Sequence, residues 1–191
     1  MGPTMTSVGY LLFDTAIGRC GLSWGPTALT GVLLPEESDE ATRRRMQRLN
    51  PTLAEDPDHA SAVALNAVQR IRALLQGERD DLLDLPLDMS GLASFNRRVY
   101  ETVRRVGPGR TITYGELAAR LGEPGAARAV GQALSRNPFA PVVPCHRVLA
   151  APGASSGYRS GGFSAGGGVS TKLRMLQIEG ARLGLGLGLF D

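Results

Sequence analysis

The 191-residue sequence predicts an α+β fold in two parts. Brief apolar runs cut by turn signals come first, helical spacing takes over from about residue 60, and the charge changes sign near residue 90. Tyr10-Leu-Leu-Phe13, Gly21-Leu-Ser-Trp24 and Thr30-Gly-Val-Leu-Leu34 are separated by Ile17-Gly18 and Gly25-Pro26, the pattern of a short antiparallel meander. Glu40 to Leu49 is arginine-rich and reads as a surface helix. From Ala60 to Leu75, Ala64, Val68, Ile71 and Leu75 recur at helical spacing, so one face is buried, and Gln76-Gly77 stops the helix. Leu82 to Leu87 is expected as one more strand and Asp88 to Ser94 as the linker, which closes a first part over residues 1–90.

The second part, residues 91–182, is helical. Phe95, Val99, Val103 and Val106 mark an amphipathic helix ended by Gly107-Pro108-Gly109. Thr113 can cap a helix whose inward positions are Leu117, Ala118 and Leu121. After the tight turn Gly122-Glu-Pro-Gly125, a second helix runs from Ala126 to about Arg136. Ala127, Val130 and Leu134 face inward, and Arg128, Gln132 and Arg136 form an outward stripe. Two short helices joined by a glycine turn resemble a helix-turn-helix. Gly131 leaves bare backbone where a strand could approach. Residues 153–168 hold seven glycines and read as a mobile loop. Lys172 to Glu179 resumes helical spacing through Leu173, Leu176 and Ile178, and residues 183–191 read as a poorly ordered tail.

Charge and cysteine usage narrow the function. Residues 1–90 carry 8 Arg against 13 acidic residues, a net −5; residues 91–191 carry 12 Arg and one Lys against 5, a net +8. A basic half fits either a solvated surface or an anionic partner, and nucleic acid is the commonest such partner. No apolar run approaches the roughly 18 residues of a membrane-spanning helix. The start has no basic residue before its first apolar stretch, so no secretory leader is expected. Two cysteines make no disulfide framework, and the expected location is the cytoplasm. A four-ligand zinc site would need Cys20, Cys145, His59 and His146 together, at spacings unlike any ligand pair, so neither metal nor cofactor is expected.

The chemistry points to Pro141-Val-Val-Pro-Cys-His-Arg-Val-Leu149. Pro144 stiffens what reads as the end of an apolar strand, and Cys145 follows it directly. Nearby positive charge is expected to lower the thiol pKa and raise the thiolate fraction, as a sulfur nucleophile requires. In an extended chain His146 points away from Cys145, so a proton relay needs a water or a fold-back. A buried structural cysteine with an unrelated neighbour is the other reading.

The run Pro144-Cys145-His146-Arg147-Val148 resembles the active-site signature of the O6-alkylguanine-DNA alkyltransferases. Thr113-Tyr114-Gly115, Ala127-Arg128-Ala129-Val130-Gly131, Asn137-Pro138, Gly157-Tyr158, Gly161-Gly162 and Glu179-Gly180 are similar to that family in order and spacing. The likeness is strong over residues 92–182, whereas the first ninety are similar only in layout. It implies an RNase-H-like amino-terminal part, with a small antiparallel sheet and helices, and a winged-helix-like helix-turn-helix domain after it. It implies a monomer that binds double-stranded DNA containing O6-alkylguanine and takes the alkyl group onto Cys145 once. His146 and Glu179 would form the relay that holds Cys145 as thiolate, Asn137 would fix the turn beside it, and Tyr114 would donate a proton to a ring nitrogen of the base. Arg128 would fill the gap left by the extruded base. Ala127, Gly131, Gln132 and Arg136 would share the DNA face, which in this family enters the minor groove. Tyr158, Leu134, Pro144 and the backbone at Val148 and Arg159 would form the pocket.

On their residue types alone these positions keep other readings. Tyr114 fits a core aromatic, Asn137 a helix C-cap, Glu179 a solvated carboxylate and Arg128 an exposed helix arginine. A non-catalytic lesion-binding relative would share the helices and lack the cysteine. The stretch from Arg159 to Thr171 is longer and richer in glycine than the usual link to the last helix, and Arg159 stands where the family usually carries a small residue. Both departures leave the size of the accepted alkyl group open.

Overall fold

A computed structural model describes residues 8–151 and 162–182. The meander forms as expected. β1 (Gly9–Thr15), β2 (Gly18–Trp24) and β3 (Leu29–Leu33) make a three-stranded antiparallel sheet in the order β1-β2-β3. Gly18 has φ +125°, a conformation that side chains resist, and it starts the return strand. α1 (Asp39–Leu49) is capped by Ser38, whose hydroxyl accepts from the Ala41 N–H. It buries only Thr42 and Met46, as a surface helix should. α2 (Ala62–Leu74) buries Ala64, Ala67, Val68, Ile71 and Leu74 against the sheet, and Gly77 at φ +100° follows it.

The strand expected over Leu82–Leu87 does not form. Leu82 sits at φ +54°, and only Leu87 makes an isolated bridge, to Leu29. The carbonyls a strand would use for pairing turn instead to one cation. Arg104 Nη2 donates to Leu82, Leu83 and Leu85 oxygens at 2.8, 2.8 and 3.0 Å. A period-2 apolar run cannot show where its carbonyls will find donors, and here a guanidinium from the next helix supplies them.

The second part begins with α3 (Ser94–Val103), which buries Val99, Tyr100 and Val103. α4 (Tyr114–Arg120) follows β4 (Ile112–Thr113). Its start is a capping box, with Thr113 and Glu116 satisfying each other's backbone N–H groups. The turn through Gly122, at φ +76°, leads to α5 (Ala127–Ser135), which buries Val130, Ala133 and Leu134. The Tyr100 hydroxyl donates to the Ala133 oxygen at 2.7 Å, locking α3 to α5. β5 (Val148–Leu149) pairs in parallel with β4. α6 (Gly168–Ile178) starts inside the glycine-rich stretch, four residues before the expected position. The tail 183–191 and most of that stretch lie outside the described residues.

Two apolar clusters fill the interior, one around the sheet and α2, the other around α3, α4 and α5. They are not independent. Val142 and Met175 of the second half join the first cluster, and Leu87, Ala140 and Phe163 touch both. The edge of β3 is also used: the Val32 N–H donates to the Pro138 oxygen at 2.8 Å. The segment carrying Asn137 and Cys145 is thus held against the sheet. Among the described residues no helix is long and apolar enough to cross a membrane.

Replacing Arg104 by Met should lower unfolding free energy by about 2 kcal/mol, since three carbonyls lose a charged donor. Urea denaturation of the two proteins checks this.

Candidate active site

Cys145 is not at the end of a strand. Residues 141–143 form a turn, and Cys145 opens a single 3-10 turn, Cys145–Arg147, that leads into β5. The prolines on either side deny this run the N–H groups that a ladder would need. Asn137 sets its shape: its Nδ2 donates to the Val143 oxygen at 2.7 Å, and its Oδ1 accepts from the Phe139 N–H at 2.9 Å. Asn137 is a turn brace beyond the end of α5 rather than that helix's cap.

Behind the cysteine lies a buried charge cluster. His146, Arg147 and Glu179 have relative exposures of 0, 1 and 8%. His146 Nε2 and Glu179 Oε1 are 2.8 Å apart. Arg147 grips both Glu179 oxygens, with Nη2 to Oε1 at 2.8 Å and Nε to Oε2 at 3.0 Å, and its Nη1 donates to the Val106 oxygen. The Gly109 N–H adds a bond to Glu179 Oε2 at 3.2 Å. Gly109 has φ +77°, and a Cβ there would meet the Glu179 carbonyl oxygen at 2.8 Å, so this close approach needs glycine.

Burial alone would raise the Glu179 carboxyl. The hydrogen bonds and charges of His146 and Arg147 outweigh it and bring the pKa down to about 2. Burial pushes the His146 imidazole below its ordinary value, against the pull of Glu179. A neutral ring beside a fixed carboxylate must donate from Nε2, which leaves the Nδ1 lone pair free to accept a proton. Nδ1 is buried and has no partner among the described residues.

The thiol departs from the sequence expectation. Its pKa is raised, not lowered, because burial outweighs the favourable effects of Asn137, the Lys172 charge and two backbone N–H groups. Neighbouring charge acts in the expected direction, but the sequence does not show how deeply the sulfur lies. Cys145 is 9% exposed, and it opens onto a cavity of about 740 Å³. That size suits a nucleobase with a substituent.

α5 forms one wall of this cavity. Ala127, Gly131 and Leu134 line it, together with Tyr114 from α4 and Phe163 from the described part of the glycine-rich stretch. Gly131 lies against the Tyr114 ring, where a Cβ would be 3.7 Å from the ring edge. The same helix exposes Arg128, Gln132 and Arg136 on its outer side, and Arg128 makes no side-chain bond with a described residue. Val148 and Pro144 do not line the cavity, which corrects their expected place in it: the Val148 carbonyl is taken by Lys172 Nζ at 2.6 Å. Tyr158 and Arg159 lie outside the described residues.

Sequence reasoning missed three residues here. Arg147 was read only as a neighbouring charge, and Lys172 and Phe163 were not singled out. Lys172, Met175, Leu176 and Glu179 share one helical face with core residues, a spacing that marks Lys172 and Glu179 as inward. Phe163 carries no comparable sequence signal.

Comparison with known proteins assigns the family. Residues 94–181 match the model for the DNA-binding domain of 6-O-methylguanine DNA methyltransferase. A methylated-DNA–protein-cysteine methyltransferase of Mycobacterium tuberculosis is 35% identical over 184 residues, covering 96% of this chain and 99% of that protein. This chain belongs to that family. A DNA base-flipping protein of Thermus thermophilus is 44% identical over 158 residues, 83% of this chain and 99% of the relative. The regulatory protein Ada of Salmonella typhimurium is 38% identical over 178 residues, and the 93% of this chain that aligns spans about half, 47%, of its length. Among solved structures, Mycobacterium tuberculosis OGT in complex with DNA superposes with a TM-score of 0.70 at 33% identity, over 91% of this chain and 93% of that one. The mixed α/β architecture with a small antiparallel sheet is thus the family's own.

Acid should weaken the native state in two windows. A neutral buried imidazole loses stability as pH falls below its ordinary 6.5. A depressed carboxyl gives stability that is present above its ordinary 4.5 and lost as pH falls toward 2. Glu179→Gln, destabilised at neutral pH by about 3 kcal/mol through the stranded Arg147 charge, should lose the steep limb below pH 4.5. Urea midpoints measured from pH 3 to 7 test this.

Proposed function

We propose that this protein repairs duplex DNA by moving the alkyl group of O6-alkylguanine onto Cys145. The observation that carries the reading is a buried sulfur facing a base-sized cavity, with an imidazole–carboxylate pair behind it and an exposed arginine stripe on the cavity's own helix. The names of its relatives agree with the reading: methylated-DNA–protein-cysteine methyltransferase, DNA base-flipping protein and an OGT–DNA complex.

The chemistry follows from the groups present. The thiol proton passes through a bridging water to His146 Nδ1, which has no protein partner among the described residues, and Glu179 stabilises the imidazolium that forms. The thiolate attacks the alkyl carbon, the S–C bond forms, and the C–O bond breaks with its electron pair going to O6. Tyr114, on the cavity wall, donates a proton to a ring nitrogen so that the departing base leaves neutral. A thioether has no route back to thiol here, so each molecule acts once. Phe163 and Leu134 give the pocket apolar walls. We assign Tyr158 and Arg159 to its rim on resemblance alone.

The target base must leave the stack, at a cost of a few kcal/mol. Arg128 on the outward face of α5 fills the space it vacates, while Ala127, Gly131, Gln132 and Arg136 follow the minor groove and Arg136 contacts phosphate. Affinity should fall with salt. We read residues 1–90 as an RNase-H-like part and 91–182 as a winged-helix-like DNA-binding part, acting as a monomer in the cytoplasm.

Incubation with O6-methylguanine duplex should add one methyl mass to the peptide containing Cys145, once per molecule, and Cys145→Ala should add none. Retained transfer in Cys145→Ala would refute the assignment. Arg128→Ala should slow transfer from duplex by about five- to thirtyfold, as loss of one to two kcal/mol implies, yet leave reaction with free O6-benzylguanine within about twofold. Equal losses on both substrates would remove the base-flipping role.

A further inference from the structure

Lys172 is the only lysine of the chain and has no exposed surface. Its Nζ donates to the Val148 oxygen at 2.6 Å and lies 5.8 Å from the centroid of the Tyr114 ring and 5.9 Å from that of Phe163. No carboxylate among the described residues pairs with it. The nearby Glu179 is already shared between Arg147 and His146. A buried ammonium without a carboxylate is costly unless another anion forms beside it.

We propose that Lys172 is a positioning residue for alkyl transfer, its ammonium serving as the counter-charge of the Cys145 thiolate beside the cavity that Cys145, Tyr114 and Phe163 line. The proposal rests on the alkyl-transfer reading above. The groups around Lys172 divide by sign. On the 3-10 turn, Arg147 is neutralised by Glu179 from the end of α6, and Cys145 is the acid left without a cation. Burial lowers the lysine to about 8, and the opposing effect on it is the charge of Cys145. The same ammonium disfavours an imidazolium at His146. It therefore biases the site toward a thiolate whose proton has moved on. Tyr114 from α4 is the remaining titratable neighbour, raised by burial and by the thiolate.

The step balances without consuming the lysine. The sulfur proton passes through His146 to solvent, the S–C bond forms as the C–O bond breaks, and Tyr114 regains from solvent the proton it gave to the base. In sum, the thiol hydrogen replaces the alkyl group on the base.

Lys172→Gln separates charge from scaffolding, because the amide can still donate to the Val148 oxygen. Alkylation of Cys145 by iodoacetamide, followed across pH 6 to 10, should shift its midpoint up by about one unit and slow about tenfold at pH 7.5. An unchanged pH profile in a folded Lys172→Gln protein would overturn the proposal. A second measurement leaves Lys172 in place. With a single lysine, protein labelled with 15N at lysine Nζ reports one site, and its titration midpoint should fall in Cys145→Ala, since coupling is reciprocal. Equal midpoints in the parent and Cys145→Ala would also overturn it. Neither readout uses DNA, so failure to gain a methyl group from duplex would sink the repair reading and leave this test intact.

Discussion

A carboxylate at the C-terminal end of a helix, shut away from water, is unfavourable on two counts: it loses its hydration, and it faces the negative end of the helix dipole. Glu179 occupies that position after the last residue of α6. It is tolerated because Arg147 and His146 from the 3-10 turn, and the Gly109 N–H from the turn after α3, all converge on its two oxygens. Three segments far apart in the chain are joined at one carboxylate. The orientation of His146 behind the cysteine depends on that junction.

From this anchor the cavity follows. The turn that holds Cys145 is braced by Asn137 from one side and by the charge cluster from the other. α5 then serves two purposes with its two sides. Small and apolar residues at Ala127, Gly131 and Leu134 open a cavity in front of the sulfur, while Arg128, Gln132 and Arg136 face outward. Burial raises the Cys145 thiol above its ordinary value, against the pull of Asn137 and the Lys172 charge.

Much of this was legible from residue types and spacing. The meander, the surface helix and the one-faced helix of the first part, the cap at Thr113 and the outward stripe of α5 follow from local rules, and the structure shows each of them. The Pro-Cys-His-Arg run singled out Cys145, and His146 and Glu179 do meet. The failures share a cause. The Leu82–Leu87 run reads as a strand until Arg104 takes its carbonyls, and the Pro141–Val143 run reads as a strand until Asn137 folds it. In each, a donor from elsewhere in the chain decides the backbone.

The sequence by itself determined most of the helices and strands, the placement of Cys145 beside His146 and Arg147, and the basic charge of the second part, because propensity, periodicity and charge act over a few residues. Only the tertiary structure decided the state of the site. Whether Cys145 rests as thiol or thiolate, and whether Lys172 has a counter-charge, depends on how much water the packing removes and which charges it leaves unpaired. Desolvation is a property of all the neighbours at once, and no window of the sequence contains them.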